Sequence, residues 1–320
     1  MSFAKMLFSG LLYLASFSAV AQWPEKPIKI IMPYGAGGSG DILARTLANE
    51  LSQTLRQPVI VENKIGATGN IGVKTVAQAA PDGYTLLIAP ANNFVINQFL
   101  FQDLGLDPLK ALAPVSLLVD VPSVIFTSAS LPPKTYTEFV AYSRARPNKM
   151  NYGSPGVGTT LQLLSEQINQ LSKLGMTHIP FNGAPAIITS MISGDVQMMV
   201  MGVNVGLPFI NSGKLRALAI ANPSRLPLLP DTPTFQEVGL GSLKVSSWWA
   251  MAAPRGTPPN VMNRLNLAVQ AALEKPQVRK QLSTQGQIIV GGGPKTMAQR
   301  LTDEAAHWKR ELVALGATSK

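Results

Sequence analysis

The chain has 320 residues, 46% of them hydrophobic and only 14% charged, which is enough apolar surface for two cores and excludes a disordered chain. Lys and Arg number 27 against 17 Asp and Glu, for a formal net charge of +10, and there are no Cys and two His. Those counts exclude disulfide scaffolds, Cys-based zinc centres and thiol nucleophiles, and His178 and His307 are too few for a His-rich metal site.

At the N-terminus, Lys5 precedes an apolar run over 6–20, and Ala19-Val20-Ala21 forms a small-x-small site before Gln22. This is the plan of a secretory signal peptide, so cleavage is expected after Ala21 and the protein is expected in the periplasm. A membrane anchor is the alternative, but the run is short and rich in Ser. The basic residues are scattered in runs of at most two without interleaved aromatics. That argues against a nucleic-acid partner, while a basic surface helps attract small anions.

The first predicted elements are a strand over 27–34, a helix over 41–56, a strand over 58–62, a helix over 70–79 and a strand over 84–89. The first helix carries Leu43, Leu47, Leu51 and Leu55 on one face, and Pro81-Asp82-Gly83 ends the second. This βαβαβ order predicts a parallel sheet covered by helices. An extended stretch over 115–127 follows, then a helix over 135–144, a strand over 150–153, a helix over 159–171, a strand over 176–181 and a helix over 184–193. Strands over 196–201 and 214–221, a Pro-rich loop over 222–233 and an extended stretch over 243–252 come next. Helices over 259–273 and 277–284, a strand over 287–290 and a helix over 295–315 complete the chain. The expected partition is a signal peptide, 1–21; a first lobe, 22–121 plus 249–320; and a second lobe, 122–248. Two crossings, near 119–123 and 246–249, would form a hinge beside a cleft.

Tyr34-Gly35-Ala36-Gly37-Gly38-Ser39-Gly40-Asp41 links a strand to a helix. Gly35, Gly37 and Gly40 fit the dinucleotide fingerprint, and Glu62 stands where a ribose-binding carboxylate would sit. A dinucleotide-binding α/β enzyme is therefore one alternative. Export and the lack of a hydride-transfer set oppose it, and no Lys follows the last glycine as a phosphate loop requires. What both motifs share survives: glycines admit close approach, and free N–H groups at a helix start hold an anion, here a ligand carboxylate. Tyr152-Gly153-Ser154-Pro155-Gly156-Val157-Gly158-Thr159-Thr160 is a second such turn, with Thr159 and Thr160 placed to cap a helix or to meet a ligand. Pro180-Phe181-Asn182-Gly183 is a third, placed to close the floor of a pocket. A secreted serine hydrolase using Ser154, His178 and a distant Asp is the other alternative, but neither Ser39 nor Ser154 sits in a G-x-S-x-G elbow. Trp248-Trp249 either packs the hinge or lines the cleft.

As a set, further segments carry a resemblance. They include Trp23-Pro24-Glu25-Lys26-Pro27-Ile28, the first glycine turn, Val61-Glu62-Asn63-Lys64, Ala80-Pro81-Asp82-Gly83-Tyr84, Asn151-Tyr152-Gly153-Ser154, His178-Ile179-Pro180-Phe181, Leu229-Pro230-Asp231-Thr232-Pro233-Thr234 and Ser247-Trp248-Trp249. With them the chain resembles the Bug family of periplasmic solute-binding proteins, receptors related to tripartite tricarboxylate transporters. The resemblance implies an α/β, two-lobed Venus-flytrap protein of the type II periplasmic binding fold. It implies a monomer with no catalysis, cofactor or metal, which captures a small organic carboxylate for a tripartite transporter's membrane component or for a sensor. It assigns ligand contacts to Tyr34, Ala36, Gly37, Gly38 and Asp41 in one lobe, and to Ser154, Gly158, Thr159 and Thr160 in the other. Two departures bear on the ligand. Phe181 and Asn182 stand where the family often has Tyr-Lys, and Met201 where it often has Asp. Both leave the expected pocket less polar, favouring a plain or aromatic carboxylate over an amino acid.

Overall fold

The computed structural model describes residues 23–101, 104–243 and 247–314. The expected leader, its cleavage point after Ala21 and Ser246 of the expected second crossing lie outside them. The fold is α/β with two sheets. In chain order the first run is β1 (Ile28–Met32), α1 (Ser39–Leu55), β2 (Val59–Asn63), α2 (Asn70–Ala77) and β3 (Thr85–Pro90). A π-helical turn, Asn92–Ile96, leads into α3 (Asn97–Leu100), α4 (Pro108–Ala111) and β4 (Leu112–Asp120). Next come β5 (Ser123–Ser128), α5 (Tyr136–Arg144), β6 (Asn151–Ser154), α6 (Thr160–Leu171), β7 (Thr177–Pro180), α7 (Ala184–Ser193), β8 (Met198–Gly202), α8 (Val203–Asn211) and β9 (Leu215–Ala221). The last run is β10 (Trp248–Pro254), α9 (Pro259–Glu274), α10 (Pro276–Ser283), β11 (Ile288–Ile289) and α11 (Pro294–Ala314).

The first sheet has the order β11-β4-β10-β3-β1-β2 and the second β7-β6-β8-β5-β9. β1 is parallel to both β2 and β3, as the βαβαβ pattern predicts. β10 returns between β3 and β4, antiparallel to both, so the C-terminal run completes the first sheet. The single extended stretch expected over 115–127 is two strands in different sheets. Val121-Pro122 separates them, and Pro122, lacking an N–H, cannot continue a ladder. α8 was not expected, because Asn204, Gly206 and Pro208 all disfavour helix. Packing overrides propensity here: Val203 and Val205 are buried, and a Cβ at Gly206 would fall 2.3 Å from the Phe126 ring, so only glycine lets α8 lie this close to β5. Among the described residues no helix is long and apolar enough to cross a membrane.

The leucine face of α1 does what its spacing dictates. Leu43, Leu47, Leu51 and Leu55 pack with Val261, Leu265 and Val269 of α9 against one face of the first sheet. The other face is covered by α2, the π turn and α11, through Val73, Phe94, Met297 and Leu312. Trp248 belongs to this second layer. It is fully buried, and its indole stacks on Phe94 at 5.7 Å and 18°. Its Nε1–H donates to Glu304 Oε1 at 2.5 Å. Arg300 ties the same carboxylate to Asp120, at 3.1 and 3.0 Å. α11 is thereby fastened to the strand ends where the chain leaves and re-enters the first sheet.

This fastening separates two substitutions. Trp248→Ala opens a cavity and should cost about 3–5 kcal/mol in urea denaturation. Trp248→Phe keeps the ring contact and loses the donor to a charged group, so about 1–3 kcal/mol is expected. Equal losses for the two would show that the hydrogen bond outweighs the packing.

Candidate functional site

One cavity of about 440 Å³ draws its walls from both sheets and from both connections between them. Five helix N-termini open onto it among the described residues. α1 begins after Gly38, α2 after Gly69, α6 after Thr159, α7 after Gly183 and α8 after Gly202, and all five of these capping residues line the cavity. The first N–H groups of a helix have no partner inside it, so each start presents unpaired donors and the positive end of the helix dipole. α1 and α7 have no side-chain cap. At α6 the Thr159 hydroxyl accepts from Gln162 N at 3.2 Å. The starts of α1, α6, α7 and α8 come next after β1, β6, β7 and β8, at the strands' carboxyl ends, where open α/β sheets place their ligands.

Among the described residues no Lys, Arg or His lines the cavity, and Asp41 is the charged side chain on its wall. Asp41 is almost fully buried. Its Oδ2 accepts from Arg45 Nε at 2.9 Å and Gly37 N at 3.1 Å, and its Oδ1 from Asn63 Nδ2 at 3.0 Å. Burial works to raise its pKa, but these hydrogen bonds outweigh it and hold the carboxyl below its ordinary value. The resulting stability is present above the ordinary Asp range and is lost as pH falls through the folded value. Gly37 has φ of +82°, which favours glycine, and this turn aims its N–H at Asp41.

Tyr34 also lines the wall, and its hydroxyl is already committed. It lies 3.0 Å from Asn93 Oδ1 and 3.2 Å from Thr68 O, and it accepts from Asn92 Nδ2 at 3.0 Å. Burial pushes the phenol well above its ordinary pKa, against the lowering by the two asparagines, so it stays neutral. The rest of the wall is largely apolar, with Phe181, Met201, Val205 and Trp249 prominent. Among the described residues three side-chain hydrogen bonds cross between the parts of the chain that carry the two sheets: Thr68 Oγ1 to Val157 O at 3.0 Å, Ser39 Oγ to Asn204 Oδ1 at 2.5 Å, and Gln167 Nε2 to Glu311 Oε2 at 3.0 Å.

The structure brings Tyr34, Ala36, Gly38, Asp41, Thr159, Thr160, Phe181, Asn182 and Met201 together on this wall. Gly37, Ser154 and Gly158, also expected as contacts, are not among the lining residues. Gly37 spends its N–H on Asp41. Gly158 packs against Leu100 and Phe101 and donates to Gln162 Oε1 at 3.2 Å. Ser154 is fully buried, with its Oγ 2.7 Å from His178 Nε2. That contact is the hydrolase pair, but His178 stacks on Tyr152 at 5.0 Å and has no hydrogen-bonded carboxylate among the described residues. Burial lowers the His178 pKa despite the nearby Glu166 charge. Glu62 does not line the cavity. It pairs with Lys64 at 2.7 Å and Lys29 at 3.7 Å, which removes the ribose-binding role of the dinucleotide alternative. Sequence reasoning passed over Thr68, Asn92 and Ser123, which line the wall. The adjacent pair Asn92-Asn93 right after an apolar strand was the available signal.

The two tryptophans divide the roles left open between them, Trp248 entering the core and Trp249 the cavity wall. Trp249 meets Tyr34 edge-on, with centroids 6.2 Å apart and planes at 74°. A Cβ at Gly40 would fall 2.1 Å from the Trp249 ring, so glycine at this position seats the indole on the start of α1. Gly40→Ala should therefore cost about 1–3 kcal/mol by overpacking. Adding Trp249→Ala should return much of it. Urea denaturation of the four proteins of this double-mutant cycle measures the coupling, and additive losses would disprove the contact.

Comparison with known proteins agrees with this architecture. The family model described as "Tripartite tricarboxylate transporter family receptor" matches residues 43–316. Protein BugT of Bordetella pertussis is 32% identical over 299 residues, covering 93% of this chain and 92% of BugT. Among solved structures, MatC of Rhodopseudomonas palustris with bound malate superposes with a TM-score of 0.85 at 32% identity, covering 91% of this chain and 100% of MatC. An R. palustris protein solved with adipate superposes with a TM-score of 0.88 at 29% identity, covering 92% of this chain and 98% of that protein. The chain belongs to the tripartite tricarboxylate transporter receptor family.

Proposed function

We propose that the protein is a periplasmic receptor that captures a small non-amino carboxylate in this cavity, between lobes formed by residues 22–121 plus 249–320 and by 122–248. The observation that carries the proposal is the meeting of five helix N-termini on a wall without a cationic side chain among the described residues. Backbone donors and helix dipoles suit one carboxylate and give nothing to an ammonium. Among the described residues Asp41 is the only wall charge that could serve an amine, and its oxygens are already engaged by Arg45, Asn63 and Gly37. Phe181, Asn182 and Met201 add no charge, so a buried ammonium would lack a counter-ion at a cost of several kcal/mol. Family membership supports export and a role in uptake or sensing with a membrane partner. The malate and adipate complexes of the relatives support a carboxylate as ligand. The protein is proposed to act without catalysis, since neither member of the Ser154–His178 pair is among the lining residues.

A thermal-shift screen of aliphatic and aromatic organic acids beside the amino acids tests this assignment. Stabilisation by non-amino acids is expected, with glutamate and aspartate weak. Stabilisation confined to those two amino acids would overturn it.

Gly38→Asp tests the α1 loop. Gly38 caps α1 in an extended conformation with φ of −78°, which any residue adopts, and Asp is a better cap than Gly. The melting temperature should therefore hold or rise. The new negative charge meets the ligand carboxylate at the helix start, so binding should weaken by at least about 2 kcal/mol in calorimetry. Undiminished affinity in the folded variant would remove the loop from the site.

A further inference from the structure

Where the chain passes from β4 to β5, the cavity changes character. Ser123 opens β5 there, is fully buried and lines the cavity, yet its Oγ has no hydrogen-bond partner. Its register partner on β8 is Gly202. Val203 N–H bonds Pro122 O at 3.0 Å, so α8 starts beside the same crossing. Asn204, the second residue of α8, is buried. Its Oδ1 is taken by the Ser39 hydroxyl at 2.5 Å, whereas its Nδ2 has no partner. Glycine at 202 is what admits the Ser39–Asn204 pair beside the crossing, since a Cβ there would fall 2.7 Å from Val121, 2.8 Å from Ser39 Oγ and 3.0 Å from Asn204 Oδ1.

A buried hydroxyl and a buried amide N–H that no protein group satisfies both destabilise the fold. Alanine at 123 would fill the same strand position without that cost. Groups held against stability in this way are characteristic of sites where a ligand completes the hydrogen bonds. The chemistry they would read is narrow. Both are neutral and both donate, so they suit an oxygen acceptor. Val121, Met201 and Val205 share the wall with Ser123, and no Lys, Arg or His lines the cavity among the described residues. A second carboxylate here would be buried without a counter-charge, whereas a hydroxyl oxygen is uncharged and costs far less to desolvate.

We propose that Ser123 on the wall, with Asn204 behind it, forms a neutral, oxygen-reading subsite at the crossing end of the cavity, which selects a monocarboxylate bearing a hydroxyl group over both the unsubstituted acid and the diacid. This rests on the carboxylate-receptor assignment above and adds the chemistry of the ligand's other end.

Matched sets of acids test it: hexanoate, 6-hydroxyhexanoate and adipate, and benzoate, 4-hydroxybenzoate and terephthalate. Dissociation constants are measured by calorimetry for the wild-type protein, Ser123→Ala and Asn204→Leu. In at least one set the wild type should bind the hydroxy acid about tenfold more tightly than its parent and than the diacid, the worth of one good hydrogen bond. Each variant should reduce that ratio to within about threefold. Ligand-free Ser123→Ala should melt no lower than the wild type, which a structural hydroxyl would not allow. Equal wild-type affinities for hydroxy acid and parent in every set would overturn the subsite. So would a preference for the diacid, a ratio that survives both variants, or a lower melting temperature for Ser123→Ala. Failure of all the acids to bind the wild type would instead overturn the carboxylate assignment, and the subsite with it.

Discussion

A helix cannot satisfy its own first N–H groups, and the molecule is arranged around that constraint. Parallel strands feed helices that all start at one end of a sheet, so their unpaired donors gather at the strand ends without any side chain being needed to collect them. Both sheets contribute to one cavity, with α1 and α2 from the first and α6, α7 and α8 from the second. The positive character of the cavity is therefore a property of the backbone. Substitutions in the wall change the shape and polarity around an anion and leave the donors in place.

The side chains near these donors are held away from an anion's place. Asp41 is turned onto Arg45 and Asn63, so its charge is balanced before a ligand arrives. Tyr34 gives its hydroxyl to the asparagines of the π turn and leaves its ring to the wall. Gly40 allows Trp249 to lie over the start of α1. Polar groups are satisfied behind the wall and apolar surface faces the ligand, an arrangement that orients an anion by direction and excludes water from its apolar end.

Much of this was legible in the sequence because its signals are local. The four leucines of α1 mark a buried face by their spacing alone. The glycine turns announce a strand-to-helix junction whose donors are free whatever the surrounding fold. Non-local features were hidden. Ser154 and His178 stand 24 residues apart and meet only because β6 and β7 pair in register. Ser123 is one serine at the head of an apolar strand, and its register partner Gly202 stands 79 positions on. α8 was obscured because Gly206 was weighed by propensity, when its lack of a side chain was what packing against Phe126 required.

The two connections between the sheets lie side by side. Trp248 stands opposite Asp120 in the ladder, and Val121 N–H reaches Ser247 O at 3.1 Å just beyond it. Two extended strands joined by such a rung behave as a two-ply strap. Bending the strap turns backbone dihedrals in both plies together and leaves the rung intact. Sliding one ply past the other, or twisting them apart, breaks it. Of the ways the two sheets could shift relative to each other, bending across the strap is the one that keeps this rung.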